Sequence, residues 1–220
     1  MNVIIPTWNA ACTLPATLAS LAEAAPDIIV ADANSPDGTA AIATTAGARV
    51  IQSPRGRGPQ LVVGGAAASH DWLLFLHADT RLEPGWSSAV AAFTQGPPAA
   101  AHFTFALDHA GTAARRLERA VAWRCRRFAL PYGDQGLLIH RTLYDAIGGY
   151  HPLPLMEDVD ILRRLRRLGP IGRPTALPVR AITAPDKFLR RGFYLRSARN
   201  LTILSLYFAG VPPRILARLY

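Results

Sequence analysis

Short apolar runs alternate with helical segments through the first eighty residues of the chain. The runs at residues 3–5, 27–31, 48–52 and 72–76 predict strands, because each is short and ends near turn-forming residues. The segments at about 14–24, 40–46 and 60–69 are rich in alanine and other small residues, and they predict helices. This alternation is typical of an α/β fold with a mostly parallel central sheet and helices on both faces.

The second half of the chain predicts further strands and longer helices. We predict strands at 101–107, 137–140 and 174–183, and we place the last one at a sheet edge because it contains prolines. Apolar residues at helical spacing predict helices at 85–94, 112–129, 142–147, 157–168 and 187–209. The longest uncharged stretch, residues 200–213, is shorter than the ~20 residues that a bilayer-spanning helix needs, so we predict no transmembrane segment.

Polar groups follow the carboxyl ends of the first four predicted strands. The fourth strand is five consecutive apolar residues, Trp72 to Leu76, and it runs directly into His77 and Asp79. Ligands of open α/β sheets bind beyond the carboxyl ends of the strands, so these two side chains are candidate ligands. A turn-capping role for Asp79 and an ordinary hydrogen-bonding role for His77 are the alternatives. The polar loops expected to converge on one crevice are residues 6–9, 32–35, 55–57 and 77–79.

Composition and charge narrow the class of protein. Half of the 220 residues are apolar, which suffices for one sizeable core and predicts one domain over residues 1–220. The chain has 24 Lys and Arg against 15 Asp and Glu, a net charge of +9, and arginine suits phosphate-bearing partners. Cys12 and Cys125 match neither a metal spacing nor a disulfide framework. Since the sequence also opens without a signal-peptide pattern, we expect a cytoplasmic protein.

Four segments, taken in order, resemble the family 2 glycosyltransferases. They are Ile-Ile-Pro-Thr-Trp-Asn at 4–9, the turn-rich loop at 32–39, His-Ala-Asp at 77–79 and Glu-Asp at 157–158. More narrowly, the segments at 53–57, 74–80, 133–136 and 216–220 resemble a small bacterial subgroup named for its association with radical-SAM and selenium-domain genes. The resemblance implies a single GT-A (Rossmann-like) domain. Residues 1–80 would then bind a nucleotide sugar, 81–185 an acceptor, and 186–220 would form a helical segment.

The resemblance also implies where the donor binds. The contacts implied for a nucleotide-diphosphate sugar are Pro6, Thr7, Asn9, Asp32, Asn34, Ala78 and Asp79, with Asp32 at the base. Arg55 and Arg57 lie on a predicted glycine-rich loop, where arginines are suited to grip a diphosphate. A strand-ending turn at Asp32 and a solvated loop at the two arginines are the alternatives. Ala33 and Asn34 stand where the family usually has an acid and glycine.

The segment at 77–79 departs from the Asp-x-Asp metal motif of the family. His77 replaces the first carboxylate, and Asp79 remains as the oxygen ligand. Mg²⁺ prefers oxygen ligands, whereas Mn²⁺ tolerates a nitrogen ligand better. We therefore expect a divalent metal, Mn²⁺ or Mg²⁺, at Asp79 with His77 as a second ligand.

Glu157 and Asp158 resemble the acceptor-side Glu-Asp motif of the family, whose second member is the general base. The resemblance therefore assigns the base to Asp158 and a supporting role to Glu157, in an inverting transfer to an unknown acceptor, with a lipid-linked acceptor as one option. A carboxylate within hydrogen-bond reach of the acceptor hydroxyl is suited to that chemistry. Charge complementation of a helix first turn is the alternative. The resembling loop at Gly133, Asp134 and Gln135 supplies candidate acceptor contacts.

Two other classes of function remain in view. One is a nucleotide-sugar-binding protein whose altered metal motif has abolished catalysis. The other is a basic binding protein. Nucleic acid is disfavoured as its partner, because the arginines are divided among separate helices without interleaved aromatic residues. The helix at 188–209 suits contact with the inner face of the cell membrane, and packing of this helix on the sheet is the alternative. Its aromatic and apolar residues are Phe188, Phe193, Tyr194, Leu201, Leu204, Tyr207 and Phe208.

Overall fold

The computed structural model describes residues 1–185 and 192–220, except for the side chain of Tyr194. The strands are β1 (Asn2–Thr7), β2 (Asp27–Asp32), β3 (Arg49–Gln52), β4 (Trp72–Phe75), β5 (Thr80–Leu82), β6 (Ala100–Leu107), β7 (Leu137–His140) and β8 (Thr175–Thr183). Within those described ranges the helices are α1 (Leu14–Leu21), α2 (Thr39–Thr45), α3 (Arg57–Ala67), α4 (Trp86–Thr94), α5 (Thr112–Phe128), α6 (Arg141–Ala146), α7 (Glu157–Arg166), α8 (Phe193–Phe208) and α9 (Pro213–Leu219).

One 8-stranded sheet, in the order β3-β2-β1-β4-β7-β6-β8-β5, forms the centre of the fold. The first four strands in this order are parallel to one another, and β7 runs antiparallel between β4 and β6. The prediction of an α/β fold with a mostly parallel sheet is confirmed. Because β2 and β4 flank β1 on opposite sides, the chain crosses over at β1, and the ends of these strands border a crevice.

The core lies on both faces of the sheet. Successive residues of a strand point to opposite faces, so Val3 and Ile5 pack in one apolar cluster while Ile4 packs in the other. The first cluster includes Leu14 of α1 and Trp86 of α4, and the second includes residues of α3, α6 and α7. Leu73 and Leu74 of β4 are both fully buried, as the unbroken apolar run predicted.

Several element boundaries differ from the predictions. Pro6 lies within β1 rather than ending it, because the pairing of β1 with β4 stops at Ile4 and the proline nitrogen falls beyond that ladder. Helix α3 begins at Arg57, three residues before the predicted start at 60. The strand β5 and the helix α9 were not predicted.

The prediction that the strand at 174–183 lies at a sheet edge is wrong. β8 lies between β6, to which it is parallel, and β5, to which it is antiparallel. Its proline is accommodated because the register of β6 and β8 shifts between His102 and Thr104, which places Pro178 in a bulge. The three-residue strand β5 forms the edge instead.

The C-terminal helices pack on α7. Ile203 and Tyr207 of α8 are buried with Leu216 of α9 and Val159 of α7. The predicted helix at 187–209 corresponds to α8, and its part at 187–191, including Phe188, lies outside the described residues. Across residues 1–185 and 192–220, no helix combines the length and apolarity needed to cross a membrane.

Candidate active site

The loop that follows β4 is held by one hydrogen bond within its own turn and by two from other parts of the chain. The amide of Thr80 donates to the carbonyl oxygen of His77 at 3.2 Å, and the Thr17 hydroxyl donates to that of Ala78 at 3.0 Å. The amide of Ala184 donates to the carbonyl oxygen of Asp79 at 3.0 Å. Because all three carbonyls are bonded, the backbone that carries His77 and Asp79 is fixed.

An open crevice lies beyond the ends of β1 and β4. Its volume is about 500 Å³, and its walls include Pro6, Trp8, Asn9, Arg57, His77, Ala78 and Asp79. The guanidinium carbon of Arg55 lies 4.3 Å from the centre of the Trp8 ring, which is a cation–π arrangement. Five predicted donor-side residues, Pro6, Asn9, Arg57, Ala78 and Asp79, therefore line one crevice, and Arg55 stacks on a wall residue.

Asp32 and its neighbour in the sheet, Thr7, are not among the described residues that line this crevice, and Asp32 is 3% exposed. The Asp32 carboxylate is held by neighbouring side chains and backbone. It accepts hydrogen bonds from the Thr7 hydroxyl at 2.8 Å, from the Ser35 amide at 2.8 Å and from the Ser35 hydroxyl at 2.6 Å. Asn34 is exposed and has a φ of 59°, a left-handed conformation that asparagine tolerates better than most residues.

Arg57 does not lie on a loop as predicted. It is the first residue of α3, and its Nε–H donates to Oε1 of Glu157, the first residue of α7. A side chain on Gly58, in the first turn of α3, would collide with the backbone of Leu153 in the loop before α7, so glycine lets this loop pack against α3. Glu157 is 1% exposed, whereas the Arg57 side chain is 40% exposed. Burial lowers the pKa of Arg57, but the charges of Glu157 and Asp158 outweigh burial and raise it.

A smaller cavity of about 120 Å³ adjoins the crevice. Arg57, His77, Asp79 and Ala184 line both spaces, so they form the boundary between them. The remaining walls of this inner cavity come from Tyr132, Gly133, Asp134, Leu155, Met156, Asp158, Val159, Thr183, Arg196, Asn200 and Tyr220. Predicted donor-side and acceptor-side residues therefore meet at one continuous site.

The carboxylate of Asp158 is held at the start of α7. Its Oδ2 accepts a hydrogen bond from the Gly133 amide at 3.1 Å, and its Oδ1 accepts one from the Val159 amide at 2.8 Å. The preceding residue, Met156, has a φ of 66°, a strained conformation for a residue with a side chain. The imidazole of His77 packs on Gly133, where a Cβ would lie 2.5 Å from Nε2. A residue larger than glycine would therefore displace His77.

Asp134 and Gln135 lie in one short turn but face different surroundings. Asp134 lines the inner cavity, and its Oδ1 is buried without a hydrogen-bond partner among the described residues. Burial raises the pKa of Asp134 to about 6, and the charges of Asp158 and Asp79 add to this effect. Gln135 is 1% exposed and points away from the cavity: its Nε2 donates to the Phe103 carbonyl at 3.1 Å.

The residues at 77–79 fit a divalent metal only in part. Asp79 offers an oxygen ligand and His77 a nitrogen ligand at the boundary of the two spaces. Within residues 1–185 and 192–220, no three His, Cys, Asp or Glu side chains are placed to hold a metal ion. Divalent ions of this kind take about six ligands, so a metal here needs further oxygens from a bound diphosphate and from water.

Three solved structures illustrate the similarity of this fold to known proteins. Glucosyl-3-phosphoglycerate synthase from Mycobacterium tuberculosis, in complex with Mn²⁺, UDP and glucosyl-3-phosphoglycerate, is 19% identical with a TM-score of 0.59; the match covers 96% of this chain and 80% of that one. S. aureus TarS 1-349 is 18% identical with a TM-score of 0.60, and the match covers 83% of this chain and 57% of the TarS chain. A mycobacterial protein is 19% identical with a TM-score of 0.58, and the match covers 83% of this chain and 65% of the mycobacterial chain. This chain thus spans less than two thirds of the latter two.

These likenesses, together with the crevice at the strand ends, define the class: the protein has the GT-A fold of glycosyltransferases. The model of one sequence family, described as glycosyl transferase family 2, matches residues 2–153. The chain therefore belongs to glycosyl transferase family 2.

Two features of the site were not among the predicted functional residues. Trp8 lines the crevice, and its position in the loop that follows the first strand could have identified it as a site residue. Tyr132 lines the inner cavity, where the Arg124 guanidinium carbon lies 3.4 Å from the centre of its ring. Nothing in the local sequence indicates that contact, because Arg124 looks like one of several arginines on an exposed helix face.

Proposed function

We propose that this protein transfers a sugar, with inversion, from a nucleotide-diphosphate donor to an acceptor hydroxyl. One observation carries the proposal: the carboxylate of Asp158 lines an inner cavity that shares His77, Asp79 and Arg57 with the strand-end crevice. Donor and acceptor bound on the two sides of this boundary would meet there. We assign residues 1–80 to donor binding, 81–185 to acceptor binding and 186–220 to a C-terminal segment.

The crevice is suited to a nucleotide sugar. In this proposal Pro6, Asn9 and Ala78 contact the nucleoside, while Thr7 and Asn34 shape the loop around Asp32. The carboxylate of Asp32 already accepts three hydrogen bonds, so it has room for about one more, from an imide or amino group of a base. Since glucosyl-3-phosphoglycerate synthase was crystallised with UDP and with UDP-glucose, uridine donors are the first to test.

The diphosphate would lie between the two arginines of the crevice. Arg57 reaches this position from α3 and uses Nε–H for Glu157, which leaves its terminal N–H groups for phosphate oxygens. Glu157 is therefore a positioning residue for Arg57. Arg55 is exposed and stacked on Trp8, where it would approach the diphosphate from the mouth of the crevice.

Asp79 and His77 would hold the divalent metal that the family uses, Mn²⁺ or Mg²⁺. Such an ion supplies positive charge that stabilises the leaving diphosphate. The described residues alone provide these two ligands, so metal binding is expected to depend on the presence of the nucleotide diphosphate.

Asp158 acts as the general base. The acceptor oxygen attacks the anomeric carbon, its proton passes to the Asp158 carboxylate, and the bond from that carbon to the diphosphate oxygen breaks on the opposite face. The hydrogen bonds from the amides of Gly133 and Val159 fix the carboxylate in its orientation. Asp134 lines the same cavity and is assigned to the acceptor, whereas Gln135 supports the turn that carries Gly133 and Asp134.

Release of nucleotide diphosphate from a panel of nucleotide sugars, with Mn²⁺ and a panel of acceptor hydroxyls, tests the proposal. Wild-type protein should release nucleotide from one donor. The Asp158→Asn variant should lose about 10²- to 10⁴-fold in transfer while binding that donor with unchanged affinity. Normal turnover by Asp158→Asn overturns the base assignment. Donor binding without release, whatever the acceptor, favours the alternative of a catalytically altered binding protein of the bacterial subgroup.

A further inference from the structure

Four arginines surround a shallow pocket on a part of the surface distinct from the candidate active site. Arg163, Arg166, Arg167 and Arg173 line it, together with Gly169, Pro170 and Phe208. The pocket has a volume of about 450 Å³ and lies at the end of α7, where the chain turns towards β8 and α8 passes alongside. We refer to it as the arginine pocket.

No carboxylate is among the described residues that line the arginine pocket. All four guanidinium side chains belong to exposed residues, and in the described parts of the chain Arg166, Arg167 and Arg173 form no ion pair. The nearby carboxylate of Asp160 is already occupied by Arg164, at 2.7 Å. Like charges this close repel one another, so the pocket favours an anion that can accept several hydrogen bonds, which is the chemistry of a phosphate group.

Phe208 lines the arginine pocket, and Ile171 follows the lining residue Pro170 in the chain. Phe208 and Ile171 are each 49% exposed, although both are large and apolar. The Arg163 guanidinium carbon lies 5.5 Å from the centre of the Phe208 ring, so charge and apolar surface are presented together. A soluble anion gains nothing from exposed phenylalanine and isoleucine, whereas a lipid surface offers phosphate beside hydrocarbon.

The neighbouring helix α9 extends this pattern. Ile215 and Leu219 are 50% and 56% exposed and lie four residues apart, on the same side of the helix. Arg214 and Arg218, also exposed and four residues apart, form an adjacent stripe. Arginine beside large apolar side chains is the composition of helices that lie in the surface of an anionic membrane. The net charge of +9 acts in the same direction.

We propose that the arginine pocket and the outer side of α9 dock on a membrane surface that contains anionic phospholipid. The phosphates of the lipid head groups bind the four arginines, and Phe208 and Ile171 enter the boundary between head groups and acyl chains. Asn200 of α8 and Tyr220, the residue that follows α9, also line the inner cavity, so the docked surface lies close to the cavity along the chain. The docking is independent of whether the protein transfers sugar.

Sedimentation of the 220-residue protein with vesicles tests the docking. One set of vesicles is phosphatidylcholine alone, and the other contains about 30% phosphatidylglycerol, each at low and high salt. Binding is expected only to the anionic vesicles and should weaken as salt rises. No binding to the anionic vesicles at low salt overturns the proposal.

A pair of charge-matched variants locates the surface. Arg166→Gln/Arg167→Gln should weaken vesicle binding by about tenfold or more, since each arginine near an anionic membrane contributes roughly fivefold. Arg115→Gln/Arg119→Gln removes the same charge from exposed positions on α5 and should change binding by less than about twofold. If the two variants lose vesicle binding equally, the attraction comes from the net charge of the protein rather than from the arginine pocket, and the proposal fails. All four substitutions are at the surface, and matching thermal unfolding curves verify that the variants fold.

Two further measurements separate a lipid from other phosphate-bearing partners. Phe208→Ser should weaken vesicle binding but leave any binding of inorganic pyrophosphate unchanged. If Phe208→Ser has no effect on vesicle binding and pyrophosphate competes fully with vesicles, the pocket binds a soluble anion and the membrane proposal fails. It fails likewise if a short single-stranded DNA binds with higher affinity than the vesicles and loses that affinity in Arg166→Gln/Arg167→Gln.

Discussion

The Arg57 guanidinium and the Glu157 carboxylate form an ion pair that joins the first turn of α3 to the first turn of α7. The pair spans 100 residues of sequence, and its arginine lines both the strand-end crevice and the inner cavity. Burial raises the pKa of Glu157, and the charge of Arg57 opposes this effect. The arginine proposed to grip the donor and the helix that presents Asp158 therefore depend on one charge pair.

Neutralising Glu157 should destabilise the fold. In Glu157→Gln the buried acid becomes neutral and Arg57 loses its partner, so we expect a loss of about 1–2 kcal/mol in the free energy of unfolding. The value is below that for fully buried pairs because the Arg57 side chain is 40% exposed. Urea denaturation at neutral pH measures it. Glu83→Gln, which breaks the more exposed pair with Arg180, is the matched control and should cost less than about 1 kcal/mol. Equal losses in both variants contradict a special role for the buried pair.

Because His77 packs on Gly133, we expect substitutions at these two positions to have coupled effects on the free energy of unfolding. Gly133→Ala places a methyl group 2.5 Å from His77 Nε2, and this overpacking should cost about 1–3 kcal/mol of unfolding free energy. In a His77→Ala background the space is free, so the same substitution should cost less than half as much. A double-mutant cycle measured by denaturation gives the coupling. Additive effects of the two substitutions would show that the imidazole does not occupy this position.

Replacing His77 by aspartate should change the metal preference. His77→Asp restores the Asp-x-Asp pattern, and an oxygen ligand favours Mg²⁺ relative to Mn²⁺ by about tenfold in this prediction. The measurement is the affinity for a nucleotide diphosphate, by titration calorimetry, as a function of each metal ion. Asp79→Asn is the control and should remove the metal dependence in both backgrounds. An unchanged Mn²⁺ to Mg²⁺ ratio in His77→Asp argues against His77 as a ligand.

The sequence was most informative where structure is set by local patterns. The uninterrupted apolar run of β4 and the short run of β7 predicted two adjacent strands of the sheet, because burial on both faces leaves a clear signal in composition. Asn9, Ala78 and Asp79 line one crevice, because the ends of parallel strands meet at one edge of a sheet. Their roles in donor binding stay predictions.

Features set by long-range pairing were predicted less well. β5 has three residues and exists through its pairing with β8, so its own sequence carries almost no strand signal. Pro174 and Pro178 suggested that this strand lies at an edge, but Pro174 precedes β8 and a bulge accommodates Pro178 inside the sheet. The partner of Arg57 lies 100 residues away, and no local pattern indicates it. Likewise, a polar turn does not reveal that Gln135 is buried while Asp134 faces the cavity.

The buried carboxyl of Asp134 predicts a pH dependence of stability. Folding raises its pKa from 3.8 to about 6, so between these values the folded state binds more protons than the unfolded state. Stability contributed by this group is therefore present below about pH 4 and decreases as the pH rises towards 6. Asp134→Asn should leave stability at pH 4 unchanged and increase it by about 1–2 kcal/mol at pH 7.5, a value reduced for the partial exposure of the residue to the cavity.

Urea denaturation of both proteins across this range measures the difference, and Asp71→Asn, which removes an exposed carboxylate, controls for net charge. A stability difference that is constant with pH, or that shrinks as pH rises, contradicts the assignment of a raised pKa to Asp134.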